Sequence, residues 1–431
     1  MHHIPIIIIG SGFGGLTLAK KLLDNDIKDF AIFERANEVG GTWRDNTYPG
    51  CACDVASNLY SFSFAPNNEW GHTHGSQQEI LDYLINVSHR FKLAEHVKFQ
   101  HELKGAQWSD VKQHWQLETN KGSFTCQVLV TATGPFGAPV IPKIFGGEIF
   151  AGESFHTFNW DHSLELTSKR VAVIGTGATA IQVVPEIADD VSFLTVFQRT
   201  PSHVLPRVDF KKSSFSKWAL KYVPGLQKGI RGMWYTTYES LVGLPQFLDS
   251  RFLVPYETVA RQHLNHQVKD PILREKLTPK YRFGCKRPIF SSRYFPALQK
   301  SNVELVTSGI KEIREKGIVD ADGNFHELDV IVYATGFRVP HQVSEIISGV
   351  ENKTVAQYFG ESPKAYLGGS ISGFPNFFMM LGPFSASGNQ SAVFMLESQA
   401  SYITKAVNLM RSKKLTSVDV RENVLNEFAE D

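Results

Sequence analysis

Two strand–glycine turn–helix units in a chain of 431 residues predict an α/β protein with two Rossmann-like dinucleotide-binding domains and a helical insertion in the second. The composition, 42% apolar and 20% charged, is that of an ordinary globular protein, and the length is too great for one hydrophobic core. The first unit is IPIIIIGSGFGGLTLAKKLL, in which an apolar run leads into Gly10-x-Gly12-x-x-Gly15 and then an amphipathic helix. The second, VAVIGTGATAIQVVPEIA, repeats the arrangement with Gly175-x-Gly177-x-x-Ala180.

Each position of the turn has a physical reason. The first glycine permits the tight turn, the second lets backbone approach a pyrophosphate, and the third, Gly or Ala, lets helix and strand pack closely. The pyrophosphate rests on the unpaired N–H groups that open the helix. With 34 glycines, the spacing arises by chance roughly 0.2 times in such a chain, so the bare pattern carries little. Its position between strand and helix, twice, carries the reading.

The strand after each turn separates the two sites. FAIFERA places Glu34 24 residues beyond Gly10, where a carboxylate accepts hydrogen bonds from ribose hydroxyls and repels a 2′-phosphate. VSFLTVFQRTP places Arg199 24 residues beyond Gly175, where a cation suits a 2′-phosphate. A solvated charge at a strand end explains either residue alone; equal spacing with opposite sign favours FAD at the first site and NADPH at the second. Thr200 helps to shape the second turn.

Charge and cysteines narrow the class. Lys plus Arg total 44 against 43 for Asp plus Glu, a balance that favours neither nucleic acid nor an anionic membrane surface. Cys51, Cys53, Cys126 and Cys285 form neither a disulfide framework nor a zinc site, so no metal is expected, and reduced thiols point to the cytoplasm. The run Ile4 to Ile9 is too short for a signal peptide, and no stretch reaches the ~18–20 apolar residues of a membrane span.

Between the units lie a helix candidate, Gln77 to Phe91, a β-meander through Val97 to Val130, and a strand ending in Thr131-Ala132-Thr133-Gly134. The Pro- and Gly-rich GPFGAPVIPKIFGG then reads as interdomain chain. DVIVYATGF closes the second domain with another Ala-Thr-Gly, and a helix near Glu397 to Arg411 returns to the first. The expected division is 1–149 and 339–431 for the FAD domain, 150–164 for a linker, and 165–210 and 285–338 for the NADP domain. The insertion spans 211–284; its aromatic stretch Gly229 to Leu248, interrupted by Arg231 and Glu239, reads as a packed helix.

Two further segments carry a family resemblance. GGTWRDNTYPGCACD, with Gly41, Thr42, Trp43 and Asp54, resembles class B flavoprotein monooxygenases. FAGESFHTFNWD fills every position of F-x-G-x-x-x-H-x-x-x-W-[P/D], the pattern of type I Baeyer–Villiger monooxygenases, with Phe150, Gly152, His156, Trp160 and Asp161. The likeness continues through FQRTPSHVLPR, YRFGCKRPIFSSRYFPALQKSNVELV and LGPFSASGNQSAVF and covers nearly the whole chain.

The resemblance implies an FAD- and NADPH-dependent monooxygenase acting on a small ketone, or a sulfide, with O2. NADPH reduces the flavin, reduced flavin takes up O2 as a C4a-peroxide, and insertion beside the carbonyl gives an ester or lactone. In GCKRP, Arg287 matches the family's active-site arginine and Lys286 its coenzyme-phosphate lysine; Asp54 matches the carboxylate that orients the arginine. From pattern alone, a structural ion pair at a domain junction accounts for Arg287 and Asp54 about as well. His156 matches a coupling segment rather than a catalyst.

Three rivals remain at this stage. An N- or S-oxygenating flavin monooxygenase shares both turns but differs in the 150–161 pattern. A disulfide reductase needs a cysteine pair, and Cys51-x-Cys53 has the wrong spacing. A cofactor-binding protein without coupled turnover is the third. Chains of the family run on past the final helix with a tryptophan- and glycine-containing segment bordering the substrate site. The sequence stops at Asp431, and the expectation is easier access of water to the flavin and loss of oxygen as H2O2.

Overall fold

The computed structural model describes residues 2–339, 343–385 and 390–430. Its first domain is built on a parallel sheet in the order Phe377–Met379, Val128–Thr131, Ile6–Ile9, Phe30–Phe33, Val97–Lys98. Alternation of side chains across the strands explains why Ile6 to Ile9 is apolar throughout. Ile6 and Ile8 pack on helices Phe13–Leu23, Gln77–Arg90 and Ala392–Lys413. Ile7 and Ile9 face an antiparallel meander, Leu103–Ser109, His114–Thr119 and Gly122–Cys126, with Trp108 and Trp115 at its core.

The second domain repeats this plan. Its parallel sheet runs Val303–Val306, Phe193–Phe197, Arg170–Ile174, Val330–Tyr333, Glu153–His156. Val171 and Val173 face helix Ala178–Ile187 and the insertion, while Ala172 and Ile174 face a three-stranded meander, Ile310–Arg314, Gly317–Asp320 and Phe325–Glu327. Each domain is therefore a sheet with helices on one face and a meander on the other.

Several expectations are corrected. The meander is narrower than Val97 to Val130, because Val97–Lys98 and Val128–Thr131 pair into the parallel sheet. The segment read as a linker, 150–164, holds the strand Glu153–His156, which pairs with Val330–Tyr333. A Cβ at Gly152 would lie 2.3 Å from the Asp329 carbonyl oxygen, so glycine there permits the close entry. A last helix, Glu422–Glu430, was not expected; Leu425 buries its apolar side and Phe428 meets Tyr366. The aromatic stretch of the insertion is helical over Leu226–Tyr238 and packs on one face only: Arg231, Trp234, Tyr235 and Tyr238 are half-buried, the Tyr235 ring lies 5.1 Å from that of Phe394, and none of the helix's residues is fully buried. Residues 386–389 of LGPFSASGNQSAVF lie outside the described residues.

The two crossings between the domains are paired with each other. The amide of Arg338 donates to Ala138 O (2.8 Å), that of Val140 donates to Gly336 O (2.9 Å), and the Phe136 and Phe337 rings meet edge to face. His156, 1% exposed, packs edge-on against Phe337, accepts the Phe158 amide at Nδ1, and has its pKa lowered by burial.

The third station of the two glycine turns differs. A Cβ at Gly15 would lie 2.0 Å from the Gly10 carbonyl oxygen, whereas Ala180 at the matching place is fully buried in the second core. Gly15→Ala is expected to destabilise the protein by about 1–3 kcal/mol or more through overpacking. Ala180→Gly should cost about 1 kcal/mol, the helix-propensity difference. Urea midpoints of the two variants check this, and equal losses would refute the asymmetry.

Candidate functional site

The helices that follow the glycine turns start without any side-chain cap: Gly12 opens Phe13–Leu23 and Gly177 opens Ala178–Ile187. Neither has an acid in its first turn, so both present free N–H groups and a positive dipole end. A cavity of about 1480 Å³ lies against the first of these and reaches the second. It exceeds the usual size of a single ligand pocket.

The cavity wall takes in Gly10, Gly12, Glu34, Gly41, Thr42 and Trp43 of the residues expected at the first site, together with Asp54, Gly177 and Arg287. Gly15, Gly175 and Ala180 lie beneath the turns and serve packing. Gly175 has φ +120°, and a Cβ on it would sit 2.4 Å from the Ala334 carbonyl oxygen. Arg199, Thr200 and Lys286 are not in the wall; Arg199 and Lys286 are exposed. Thr176 Oγ1 donates to Thr200 O (3.1 Å), which holds Arg199 and Thr200 beside the second turn. The Lys286 ammonium stands 5.1 Å from the centre of the Tyr281 ring.

Glu34 is buried and fully engaged. It accepts from the Ser11 amide (2.9 Å), the Ser11 hydroxyl (2.7 Å) and the Ala36 amide (3.0 Å), and it pairs with Arg44 at 3.1 Å. Arg44 was missed by sequence reasoning, because nothing in GGTWRDN signals that its side chain turns back to the strand end. Burial lowers its pKa, but the bond to Asp45 and the charge of Glu34 outweigh this and the net shift is upward.

Arg287 and Asp54, distant in sequence, meet at the junction of the domains. One guanidinium nitrogen, Nη2, donates to both Asp54 oxygens at 3.2 and 3.1 Å. The pair is open, with side chains 53% and 26% exposed. Beside it, the Tyr48 hydroxyl donates to Gln182 Oε1 (3.0 Å), and Gln182 Nε2 donates to the Ala52 carbonyl (3.0 Å). These two bonds tie the Asp54 loop to the second helix and were also not anticipated, since either partner alone is an unremarked polar residue. Burial raises the Cys51 thiol to about 11 and the Cys53 thiol higher still. Neither is a thiolate at neutral pH, which argues against disulfide chemistry.

Two glycine turns aimed at one large cavity, with an acid at one strand end and a cation at the other, define the class of proteins that bring two dinucleotides together. The flavin-binding monooxygenase-like family matches residues 4–367, and the chain belongs to that family. A Baeyer–Villiger monooxygenase of Streptomyces coelicolor is 45% identical over 403 residues, covering 93% of this chain and 77% of the relative. Cyclohexanone monooxygenase from Rhodococcus sp. Phi1, solved with NADP+, superposes with a TM-score of 0.89 at 29% identity, covering 100% of this chain and 88% of that one. OTEMO, solved with FAD and NADP, gives 0.90 at 28% identity, covering 99% and 88%. Among the described residues no helix is long and apolar enough to cross a membrane.

Removing Glu34 takes from the nearly buried Arg44 one of its two carboxylate partners, Asp45 remaining, and leaves the Ser11 and Ala36 amides without their acceptor. Glu34→Ala is expected to cost about 3 kcal/mol, and Glu34→Gln less, because the amide oxygen still accepts. Urea unfolding of both variants measures this, and a loss under 1 kcal/mol for Glu34→Ala would contradict the role of the network.

Proposed function

We propose that this chain is an FAD-dependent monooxygenase that uses NADPH and O2 to insert one oxygen atom beside a ketone carbonyl, giving an ester or lactone. The observation that carries the reading is the Arg287–Asp54 pair in the wall of the cavity that holds the first glycine turn. Ion pairs this exposed contribute about 0–1 kcal/mol, so stability gives little reason to hold one across a domain junction. A fixed cation facing the cavity has a chemical use.

The residues present fit both cofactors. The uncapped helix after Gly12 suits the pyrophosphate of FAD, and Glu34, with Arg44 behind it, suits the ribose hydroxyls. Gly177 and Thr179 would take the NADPH pyrophosphate, with Arg199 and Lys286 on its 2′-phosphate. When bound, the flavin supplies hydride acceptance from NADPH and activation of O2. The chain supplies position and charge. The Arg287 guanidinium faces the cavity and stabilises negative charge on oxygen at the reacting end. Asp54 orients it. The Tyr48–Gln182 link holds the Asp54 loop against the helix that carries the second nucleotide. A cytoplasmic location is proposed on four free cysteines, the expected state in a reducing compartment.

Mass spectrometry of products from a ketone panel, with purified protein and NADPH, tests the reaction. Esters or lactones are expected; N-oxides or sulfoxides alone would move the chain to the oxygenating rivals. Arg287→Ala should keep FAD and flavin reduction by NADPH while losing ester formation by ~10²-fold or more. Asp54→Ala should show a milder loss of the same kind. Normal ester yield from Arg287→Ala would remove the catalytic assignment, and loss of FAD would mark the pair as structural.

Coenzyme choice gives a separate check. NADPH should be preferred over NADH by roughly 1.5–3 kcal/mol, the scale of a charged hydrogen bond. Arg199→Ala should abolish most of this through KM for NADPH. Equal use of NADH by the unaltered protein would reverse the assignment of the second site.

A further inference from the structure

The near-neutral total of the chain conceals a local imbalance. From Lys211 to Tyr238 there is no Asp or Glu, while Lys211, Lys212, Lys217, Lys221, Lys228 and Arg231 are all cations. Two of these turn inward: Lys212 donates to Asn58 Oδ1, and Arg231 donates to the carbonyls of Asn58, Leu59 and Ser61. Lys217 reaches the carbonyl of Glu69. Lys211, Lys221 and Lys228 are exposed. Of the neighbouring acids, Asp209 is shared by Arg207 and His74, Glu397 pairs with Arg231 at 3.9 Å and Glu239 accepts from Gln390, which leaves the exposed Glu69 near the outward-facing lysines.

The same segment displays a ladder of aromatic rings. Helix Ser214–Tyr222 is capped by Ser213 and held to the body through the buried Leu220. Phe215, Trp218 and Tyr222 stand at i, i+3 and i+7, the spacing of one helix face. They are 74%, 53% and 60% exposed, and successive ring centres are 5.9 and 5.8 Å apart. Phe210 beside them is 67% exposed. A row of aligned rings in water is costly unless something covers it. Aromatics flanked by lysines are the composition of helices that lie in the headgroup layer of an anionic bilayer. Rings enter the interface, lysine stems lie along it, and ammonium groups meet lipid phosphates.

We infer that this face docks the protein reversibly on an anionic lipid surface. Phe215, Trp218 and Tyr222 seat at headgroup depth, and Lys211, Lys221 and Lys228 take the charge. The next helix, Leu226–Tyr238, ends at Tyr235 to Glu239, and Tyr235 and Glu239 line the cavity, so the docked surface adjoins the cavity wall. The inference stands apart from the reaction proposed above, because binding is read without turnover.

The test is co-sedimentation of the full flavin-loaded chain with vesicles of phosphatidylcholine, alone or mixed with phosphatidylglycerol. Binding to the mixed vesicles is expected, weaker by roughly tenfold or more on phosphatidylcholine alone and reversed by high salt. Phe215→Ser/Trp218→Ser/Tyr222→Ser should weaken binding by a similar factor. Lys211→Gln/Lys221→Gln/Lys228→Gln should remove the preference for the anionic lipid, and it serves as the independent variant if the first loses flavin or folds poorly. No sedimentation with mixed vesicles at low salt overturns the inference. So does unchanged binding by the lysine variant, or a dimer of the unaltered chain that the aromatic variant converts to monomer.

Discussion

The molecule is organised around one close approach, made twice. At the end of each central strand the chain turns at a glycine with positive φ, +104° at Gly10 and +120° at Gly175. A Cβ would meet the carbonyl oxygen of the neighbouring strand's alanine at 2.7 Å from Ala132 and 2.4 Å from Ala334. The repeated Ala-Thr-Gly is thus the partner of the glycine turn rather than a separate motif. With no side chain between them, the strand ends sit close and the following helix starts at the sheet edge, its N–H groups unclaimed. The cavity exists because those groups face outwards from two sheets at once.

Bringing the two sheets together falls to a second set of contacts. The chain passes between domains at residues 134–153 and again after Tyr333, and the two passages hydrogen-bond to each other at Ala138–Val140 and Gly336–Arg338. Phe136, Phe337 and His156 pack around that pairing. Elsewhere along the junction, Tyr48, Gln182 and Ala52 form a short polar bridge. Few apolar groups cross between these two seams. The apolar clusters belong almost wholly to one domain or the other, Tyr48 being the exception, and a third set of polar contacts joins residues 207–231 to the first domain through Cys53, Asn58, Gly71 and Thr73.

What could be read from sequence follows from which signals are local. Strand, glycine turn and helix are set by neighbours in the chain, so both nucleotide units were legible, as was the sign of charge at Glu34 and Arg199. Glu153–His156 was not, because ESFH has neither an apolar run nor clear alternation; it is a strand only because Val330–Tyr333 leaves an edge open beside it. Arg44 and Gln182 escaped for a related reason. Their partners, Glu34 and Tyr48, are fixed by tertiary packing, and single polar residues carry no periodicity. The insertion's aromatic stretch is only half-buried because aromatic content leads to burial only where something lies against it; helix Leu226–Tyr238 meets the body through Arg231 and through Tyr235, which faces Phe394.

The Arg287–Asp54 pair draws these points together. Asp54 belongs to a loop of the first domain whose neighbours are pinned to the second by Gln182, and Arg287 comes from the second domain just before the short strand Ile289–Phe290. The separation of the two residues is therefore set by the same junction that sets the distance between the glycine turns. An exposed guanidinium held by a single nitrogen keeps its other donors free, which a fully buried bidentate pair would not. Any rearrangement that brings the second turn closer to the first also moves Arg287 relative to the cavity. The position proposed for Arg287 and that of the second glycine turn thus depend on the same few hydrogen bonds across the seam.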